Sequence, residues 1–130
     1  MVIIDTSVWI DYLRGGNKPE SLWLDRELKH QPLGLTDLIL CEVLQGTGDS
    51  DFSQVQSDLL KFHIFPNCST RLALAAAQNY RTLRKKGYTV RKTIDCLTAT
   101  FCLENGHSLL HLDRDFDLFE QVLGLHVVHP

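Results

Sequence analysis

Four carboxylates stand at positions where they could do chemistry together. Asp5 directly follows the β-branched run of residues 2–4, which is typical of a strand buried on both faces. Glu42 lies inside an otherwise apolar helical stretch, where a lone carboxylate is costly unless it is paired or bound to a cation. Asp95 lies near the start of a predicted helix, and Asp113 follows a second apolar run.

Carboxylates that are brought together repel one another, and without a cation some of them must take up protons. Mg²⁺ or Mn²⁺ resolves this conflict, because both ions prefer oxygen ligands. Such a site can polarise a phosphodiester and activate water. Cysteines and histidines form no comparable set; the nearest approach to zinc spacing, Cys102 with His107, is weak.

Each acid also has an ordinary structural interpretation. Asp5 could simply cap the helix that follows, although Ser7 is the predicted N-cap of that helix. Glu42 could lie on the solvent edge of its helix. Asp95 could interact with the dipole at the N-terminus of its helix.

The elements that must position these acids alternate between strand and helix. Strands are predicted at residues 2–4, 32–35, 62–65, 108–112 and 125–128. Helices are predicted at residues 8–13, 19–30, 37–45, 49–61, 70–86 and 95–105. This alternation predicts an α/β domain with a mainly parallel sheet, in which all strands end at one edge and the acids can converge.

Length and composition exclude several classes of protein. We expect one domain over residues 1–130, because a chain of 130 residues can bury a sizeable core. The net charge of −3 argues against a generally basic nucleic-acid-binding surface. The first strand starts at the second residue and no apolar run approaches a membrane span, so we expect a cytoplasmic protein without a membrane partner. In that compartment the four cysteines are expected to be reduced core thiols.

A basic run precedes Asp95 and holds six of the 13 Lys and Arg residues. Its members are Arg81, Arg84, Lys85, Lys86, Arg91 and Lys92. One interpretation is a solvated helix end that complements the helix dipole. The other is a rim that contacts RNA phosphates, because the run leads directly to an acid.

Four segments in series resemble the PIN-domain ribonucleases, and most closely the VapC toxins of bacterial type II toxin–antitoxin systems. The segments are Asp5-Thr6-Ser7-Val8-Trp9, Glu42-Val43-Leu44-Gln45-Gly46, Asp95, and Leu112-Asp113-Arg114-Asp115-Phe116. No single segment is specific, but their order and the total length fit the family over essentially the whole chain.

The resemblance implies a three-layer α/β/α fold and Mg²⁺- or Mn²⁺-dependent cleavage of a structured RNA, such as transfer or ribosomal RNA. It also implies a homodimer that is inhibited by a small antitoxin protein. Operator DNA would be bound only through the antitoxin.

The same resemblance assigns the family's four acids, as catalytic and metal-binding residues, to Asp5, Glu42, Asp95 and Asp113. Its small hydroxyl position falls on Thr6, which we expect to fix Asp5 or a water. Asp113 is expected to end its strand directly and to bind the metal. Asp115 is then expected to support it or to cap a helix, although both acids fit the fourth position.

Three other classes of protein remain as alternatives. An aspartyl-phosphate phosphatase needs a second acid at the position of Ser7. A receiver-like signalling module needs an acid after a middle strand, where Pro66 and Asn67 stand, and a Lys after a late strand. A catalytically silent PIN-like binding module would not need all four acids.

Overall fold

A four-stranded parallel sheet forms the centre of the computed structural model, which describes residues 1–130. The strands are β1 (Val2–Ile4), β2 (Leu33–Thr36), β3 (His63–Phe65) and β4 (Ser108–Leu110), in the order β3-β2-β1-β4. Val2 lies opposite both Leu33 and Ser108, so β1 is hydrogen-bonded on both sides. The predicted mainly parallel sheet is therefore confirmed.

Seven α-helices connect and flank the strands. They are α1 (Thr6–Leu13), α2 (Pro19–Glu27), α3 (Asp37–Gln45), α4 (Phe52–Leu59), α5 (Thr70–Lys85), α6 (Thr93–Asn105) and α7 (Asp117–Leu123). Local sequence explains several boundaries. The Thr36 and Ser69 side chains accept hydrogen bonds from the first turns of α3 and α5. Gly106, at φ 68°, ends α6 in the left-handed conformation that glycine tolerates.

The strand order explains the layers. Parallel strands are joined by right-handed crossovers, so the side of the sheet that a crossover covers depends on its direction across the sheet. The connections from β1 to β2 and from β2 to β3 run in one direction, and the connection from β3 to β4 runs back. Helices α1–α4 therefore lie on one face and α5 and α6 on the other. The predicted three-layer α/β/α fold is confirmed.

The core follows the sheet. Ile3, Ile4, Leu35, Leu109 and Leu110 are fully buried, as expected for strands covered on both faces. Each such side chain contributes about 1.5–3 kcal/mol through removal from water. The rigid core fixes the carboxyl ends of β1 and β4, from which the acidic segments continue.

Some predicted boundaries are wrong. The predicted strand at residues 125–128 is only a single parallel bridge between Leu109 and Val127. The fourth strand stops at Leu110 and does not reach Leu112. The predicted helices at residues 19–30 and 49–61 are shorter and end at Glu27 and Leu59.

The four cysteines are free thiols, but only Cys96 and Cys102 are buried. Cys41 and Cys68 are exposed, so the prediction of four core thiols is wrong for half of them. Cys41 lies on α3, and Cys68 lies in the connection between β3 and α5. None of the helices combines the length and the hydrophobicity that a membrane-spanning segment needs.

Candidate active site

Asp5 stands at the junction of β1 and α1. Its backbone N–H donates to the carbonyl of Leu110 in β4 (2.9 Å), and its carboxylate accepts hydrogen bonds from the Ser7 backbone N–H (3.0 Å) and from Ser7 Oγ (2.6 Å). Asp5 is therefore the N-cap of α1, and the prediction that Ser7 is the cap is wrong. Ser7 instead joins two segments, because its Oγ also accepts from the Leu112 N–H (2.9 Å).

Glu42 is half-buried on α3 and reaches the start of α1. Its Oε1 accepts a hydrogen bond from Thr6 Oγ1 at 2.8 Å. The Thr6 hydroxyl thus contacts Glu42 rather than the Asp5 carboxylate, whose Oδ2 accepts from Ser7, and the expected alternative, a water held by Thr6, stays a prediction. Thr6 orients Glu42 instead.

Asp95 lies in the first turn of α6 and is only 6% exposed. Its Oδ2 is buried and has no hydrogen-bond partner in the protein. A buried carboxylate oxygen without a donor is costly, so this atom needs a ligand or a proton.

Asp113 lies three residues beyond the end of β4, so the prediction that it ends the strand directly is wrong. It caps the short 3₁₀ helix Arg114–Phe116, and its carboxylate accepts from the Asp115 N–H (3.0 Å). Its own backbone N–H donates to His111 Nδ1 (3.2 Å). His111 thereby helps to hold the turn that carries the two acids.

Asp95, Asp113 and Asp115 each offer a ligand atom, and these atoms lie within 4.8 Å of one another. We call these three residues the acidic cluster. Asp115 is predicted to support Asp113 or to cap a helix, but its carboxylate is part of the cluster itself. The residue that caps the 3₁₀ helix is Asp113. Both acids of this segment therefore face Asp95.

The charges of Asp5 and Glu42 also act on the cluster. Burial, together with the negative charges of Asp5, Asp113 and Glu42, raises the pKa of Asp95 to about 7, although the positive charge of Lys92 opposes the shift. Burial likewise raises the pKa of Asp5 to about 6, although the hydrogen bonds from Ser7 oppose the shift. The four predicted acids thus share one electrostatic environment.

These residues fit a hard divalent cation. The donor atoms are all carboxylate oxygens, one of them is buried without a partner, and the mutual repulsion of the acids would be relieved by a double positive charge. Asp95, Asp113 and Asp115 would hold such an ion, with Asp5 and Glu42 close enough to act on it electrostatically.

Only part of the predicted basic rim reaches the acids. Arg91 donates from Nε and Nη2 to both oxygens of Asp115, at 3.1 and 3.2 Å. Lys92 acts on Asp95 through its charge. The others do not contact the cluster: Arg84 donates to Thr89, Arg81 lines a neighbouring groove, and Lys85 and Lys86 are exposed at the end of α5.

Reasoning from the sequence missed three supporting roles. The sequence places Ser7 at a helix cap, gives no sign of a role for His111, and leaves Arg91 either at a solvated helix end or on a phosphate-contacting rim, without a contact to Asp115. The spacing of Asp5 and Ser7 was a usable signal, because an Asp side chain commonly bonds the backbone two residues on. No signal in the sequence predicts the Arg91–Asp115 pair, whose members are 24 residues apart.

The acids gather beyond the ends of β1 and β4, two neighbouring strands of the parallel sheet. Between these strands the chain reverses its direction across the sheet, and open α/β proteins bind ligands at such a point. Residues 2–121 match the family described as the PIN domain. The chain therefore belongs to the PIN-domain family.

Known relatives agree with this assignment. The chain is 30% identical over 130 residues to ribonuclease VapC11 of Mycobacterium tuberculosis, with 96% of each protein aligned. It is similar in fold to the DNA-bound VapBC of Salmonella typhimurium, with a TM-score of 0.76, 19% identity and coverage of 98% of this chain and 96% of that one. FitAcB from Neisseria gonorrhoeae gives a TM-score of 0.74, 20% identity and coverage of 100% and 98%.

Proposed function

We propose that this protein is the toxin of a toxin–antitoxin pair, an endoribonuclease that depends on Mg²⁺ or Mn²⁺. The observation that carries the proposal is the buried, partnerless Oδ2 of Asp95 beside the carboxylates of Asp113 and Asp115. The resemblance to ribonuclease VapC11 supports the choice of RNA as the substrate. A bound cation would satisfy that oxygen, which otherwise needs a proton.

The acids are proposed to divide the work. Asp95, Asp113 and Asp115 are proposed to bind the cation directly. Asp5 and Glu42, which the family resemblance also assigns to the metal, lie outside the acidic cluster, act on Asp95 through their charge and remain proposed ligands. When bound, the ion supplies Lewis-acid polarisation of the phosphate and an acidified water. Binding of the ion requires that Asp95 lose its proton, so the free protein binds metal more weakly below a pH of about 7.

Polar side chains around the acids hold them in position. Thr6 Oγ1 donates a hydrogen bond to Glu42 Oε1 and so orients the Glu42 carboxylate. The other carboxylate oxygen of Glu42 can then accept a proton or orient a water. Ser7 holds Asp5 and, through the Leu112 N–H, the segment that leads to Asp113. These contacts fix the site before substrate arrives, which reduces the reorganisation needed for reaction.

The proposed substrate is a structured cellular RNA such as transfer or ribosomal RNA, and the proposed inhibitor is a small antitoxin protein. The fold is similar to that of VapBC, a family of toxin–antitoxin systems, which supports a partner of this kind. We also propose that the protein is a homodimer and that operator DNA is bound only through the antitoxin. The protein is proposed to act in the cytoplasm as one domain over residues 1–130.

The proposal is tested with total cellular RNA. Purified protein is incubated with the RNA in Mg²⁺, in Mn²⁺ and in EDTA, and new 5′ ends are mapped by sequencing. We expect discrete ends in transfer or ribosomal RNA that require the metal and return when metal is restored after EDTA. Cleavage that is unaffected by EDTA would contradict the metal dependence, and intact RNA in all conditions would favour a binding module.

A further inference from the structure

A groove lies between α5 and the first turns of α6, and no role in the proposed active site uses it. Its volume is about 450 Å³, which lies within the usual range for small-molecule sites. Ala77, Val90 and Leu97 give it apolar walls, and Tyr80, Arg81 and Lys92 also line it. It contains no acidic residue, so its charge is opposite to that of the acidic cluster.

The segment before α6 joins this groove to the acidic cluster. Lys92 has extended backbone angles (φ −122°, ψ 127°), and in extended chain successive side chains point to opposite sides. Arg91 accordingly reaches Asp115 in the cluster, while Val90 and Lys92 line the groove. The groove and the cluster therefore lie on two sides of one short segment.

The residues that line the groove favour a ligand with a planar aromatic ring and a negatively charged group. Tyr80 is 38% exposed and offers an aromatic surface, and aromatic side chains stack on nucleobases of any sequence. Arg81 and Lys92 supply two positive charges that suit phosphates. A symmetric contact of this groove with the same groove of a second copy would bring Arg81 and Lys92 against the same two charges, so charge complementarity favours a polyanion over such a contact.

We propose that the α5–α6 groove binds one nucleobase of the RNA strand that passes the acidic cluster. Tyr80 stacks on the base, and Arg81 and Lys92 contact the phosphates that flank it. This inference rests on the proposed ribonuclease function and adds a base-binding site to it. Because such stacking accepts any base, the groove is assigned to hold and position the strand rather than to select its sequence.

The test measures binding without cleavage. A fluorescently labelled short single-stranded RNA of mixed sequence is titrated with the protein in EDTA, and fluorescence anisotropy gives the Kd. We expect Tyr80→Ala to weaken binding about tenfold, the size expected for the loss of one stacked base. Tyr88→Ala is the matched control, because Tyr88 is 39% exposed but does not line the groove. It should bind like the parent, and Tyr80→Phe should retain most of the affinity.

Two further probes separate the base from the backbone. With an oligonucleotide of the same length that lacks its bases, Tyr80→Ala and the parent should bind equally. Arg81→Gln and Lys92→Gln should each reduce the slope of log K against log salt by about 0.7 for single-stranded RNA. A 5-iodouridine RNA irradiated with the parent protein should crosslink to Tyr80, a result that does not depend on any variant folding.

Several results would overturn the inference. The inference is wrong if the parent does not bind RNA, or if Tyr80→Ala and the parent have equal Kd values for RNA. It is also wrong if Tyr80→Ala loses as much affinity for the base-free oligonucleotide as for RNA, or if crosslinks form only outside the groove. If Tyr80→Ala dissociated a dimer but left RNA affinity unchanged, the groove would be an interface between copies. If RNA binding depends on Tyr80 but the parent does not cleave RNA in Mg²⁺, only the proposed function is contradicted. If the parent cleaves RNA but its RNA binding does not depend on Tyr80, only the inference about the groove is contradicted.

Discussion

Arg91 holds Asp115 by both carboxylate oxygens, at 3.1 and 3.2 Å, while Asp115 faces the other two acids of the cluster. A side chain from the predicted basic rim thus offsets the negative charge of one member of the acidic cluster. The Arg91 side chain is 66% exposed, whereas the Asp115 side chain is only 13% exposed, so this ion pair lies where the acidic cluster meets solvent. A cation that binds the cluster must share Asp115 with this guanidinium.

Replacing Arg91 should therefore strengthen metal binding. We expect Arg91→Gln to lower the Kd for Mn²⁺ roughly two- to fivefold, since exposed ion pairs contribute 0.2–1 kcal/mol. Isothermal titration calorimetry measures the effect. Arg84→Gln is the control, because Arg84 bonds Thr89 and not an acid. Unchanged or weaker Mn²⁺ binding by Arg91→Gln would show that Arg91 does not compete for Asp115.

The raised pKa values of Asp5 and Asp95 predict how the stability of the metal-free protein depends on pH. Their values in the fold, about 6 and about 7, exceed the ordinary 3.8, so folding favours the protonated forms. This contribution to stability is fully present below pH 3.8 and is lost as the pH rises through 6 and 7. The free energy of unfolding in EDTA should fall over that window.

Asp95→Asn should remove most of this pH dependence. In EDTA at high pH we expect the variant to melt at least about 5 °C above the parent, because one pKa unit corresponds to about 1.4 kcal/mol. At acidic pH, where Asp95 is protonated in the parent, the two melting temperatures should converge. Differential scanning calorimetry across the pH range checks this. A variant that melts well below the parent at all pH values would show that Asp95 is a structural residue.

Thr6 should matter through Glu42. Thr6→Val keeps the shape of the side chain but removes the donor to Glu42 Oε1, and groups that orient a metal-site carboxylate are worth roughly 10- to 100-fold. We expect the RNA cleavage rate to fall about tenfold, with little change in melting temperature. Thr6→Ser retains the hydroxyl and should cleave at nearly the parent rate. Equal rates for Thr6→Val and the parent would contradict this role of Thr6.

Ser7 should matter for stability. Ser7→Ala removes the donor to Asp5 and leaves the Leu112 N–H without its acceptor, at an expected cost of about 1–3 kcal/mol. Urea denaturation measures the loss. Ser53→Ala, at an exposed position in α4, provides the baseline and should change stability by less than about 0.5 kcal/mol. A similar small change for Ser7→Ala would mean that water replaces both contacts.

The sequence predicts the parallel sheet and the convergence of the acids because these depend on local runs. The β-branched residues 2–4 and the apolar residues before Asp113 mark buried strands, and parallel strands must end at one edge. The exact ends of strands are less predictable. Leu112 is apolar but lies beyond β4, because its N–H bonds Ser7 rather than a neighbouring strand.

The pairings of side chains across long separations are the least predictable part of the site. Thr6 and Glu42 are 36 residues apart, and Ser7 and Leu112 are 105 apart. Local spacing contains no information on such pairs, which depend on how α1, α3 and the β4 end pack together. The family resemblance places a hydroxyl at Thr6, but only the packing of α1 against α3 determines that this hydroxyl donates to Glu42.

The most direct test of the central claim compares Asp95→Asn with Asp117→Asn in a metal-dependent RNA cleavage assay. Both variants remove one carboxylate charge near the same site, but Asp117 lies outside the acidic cluster. The account predicts that Asp95→Asn folds, binds Mn²⁺ at least tenfold more weakly and loses cleavage, whereas Asp117→Asn cleaves like the parent. Cleavage by Asp95→Asn at the parent rate would contradict the account.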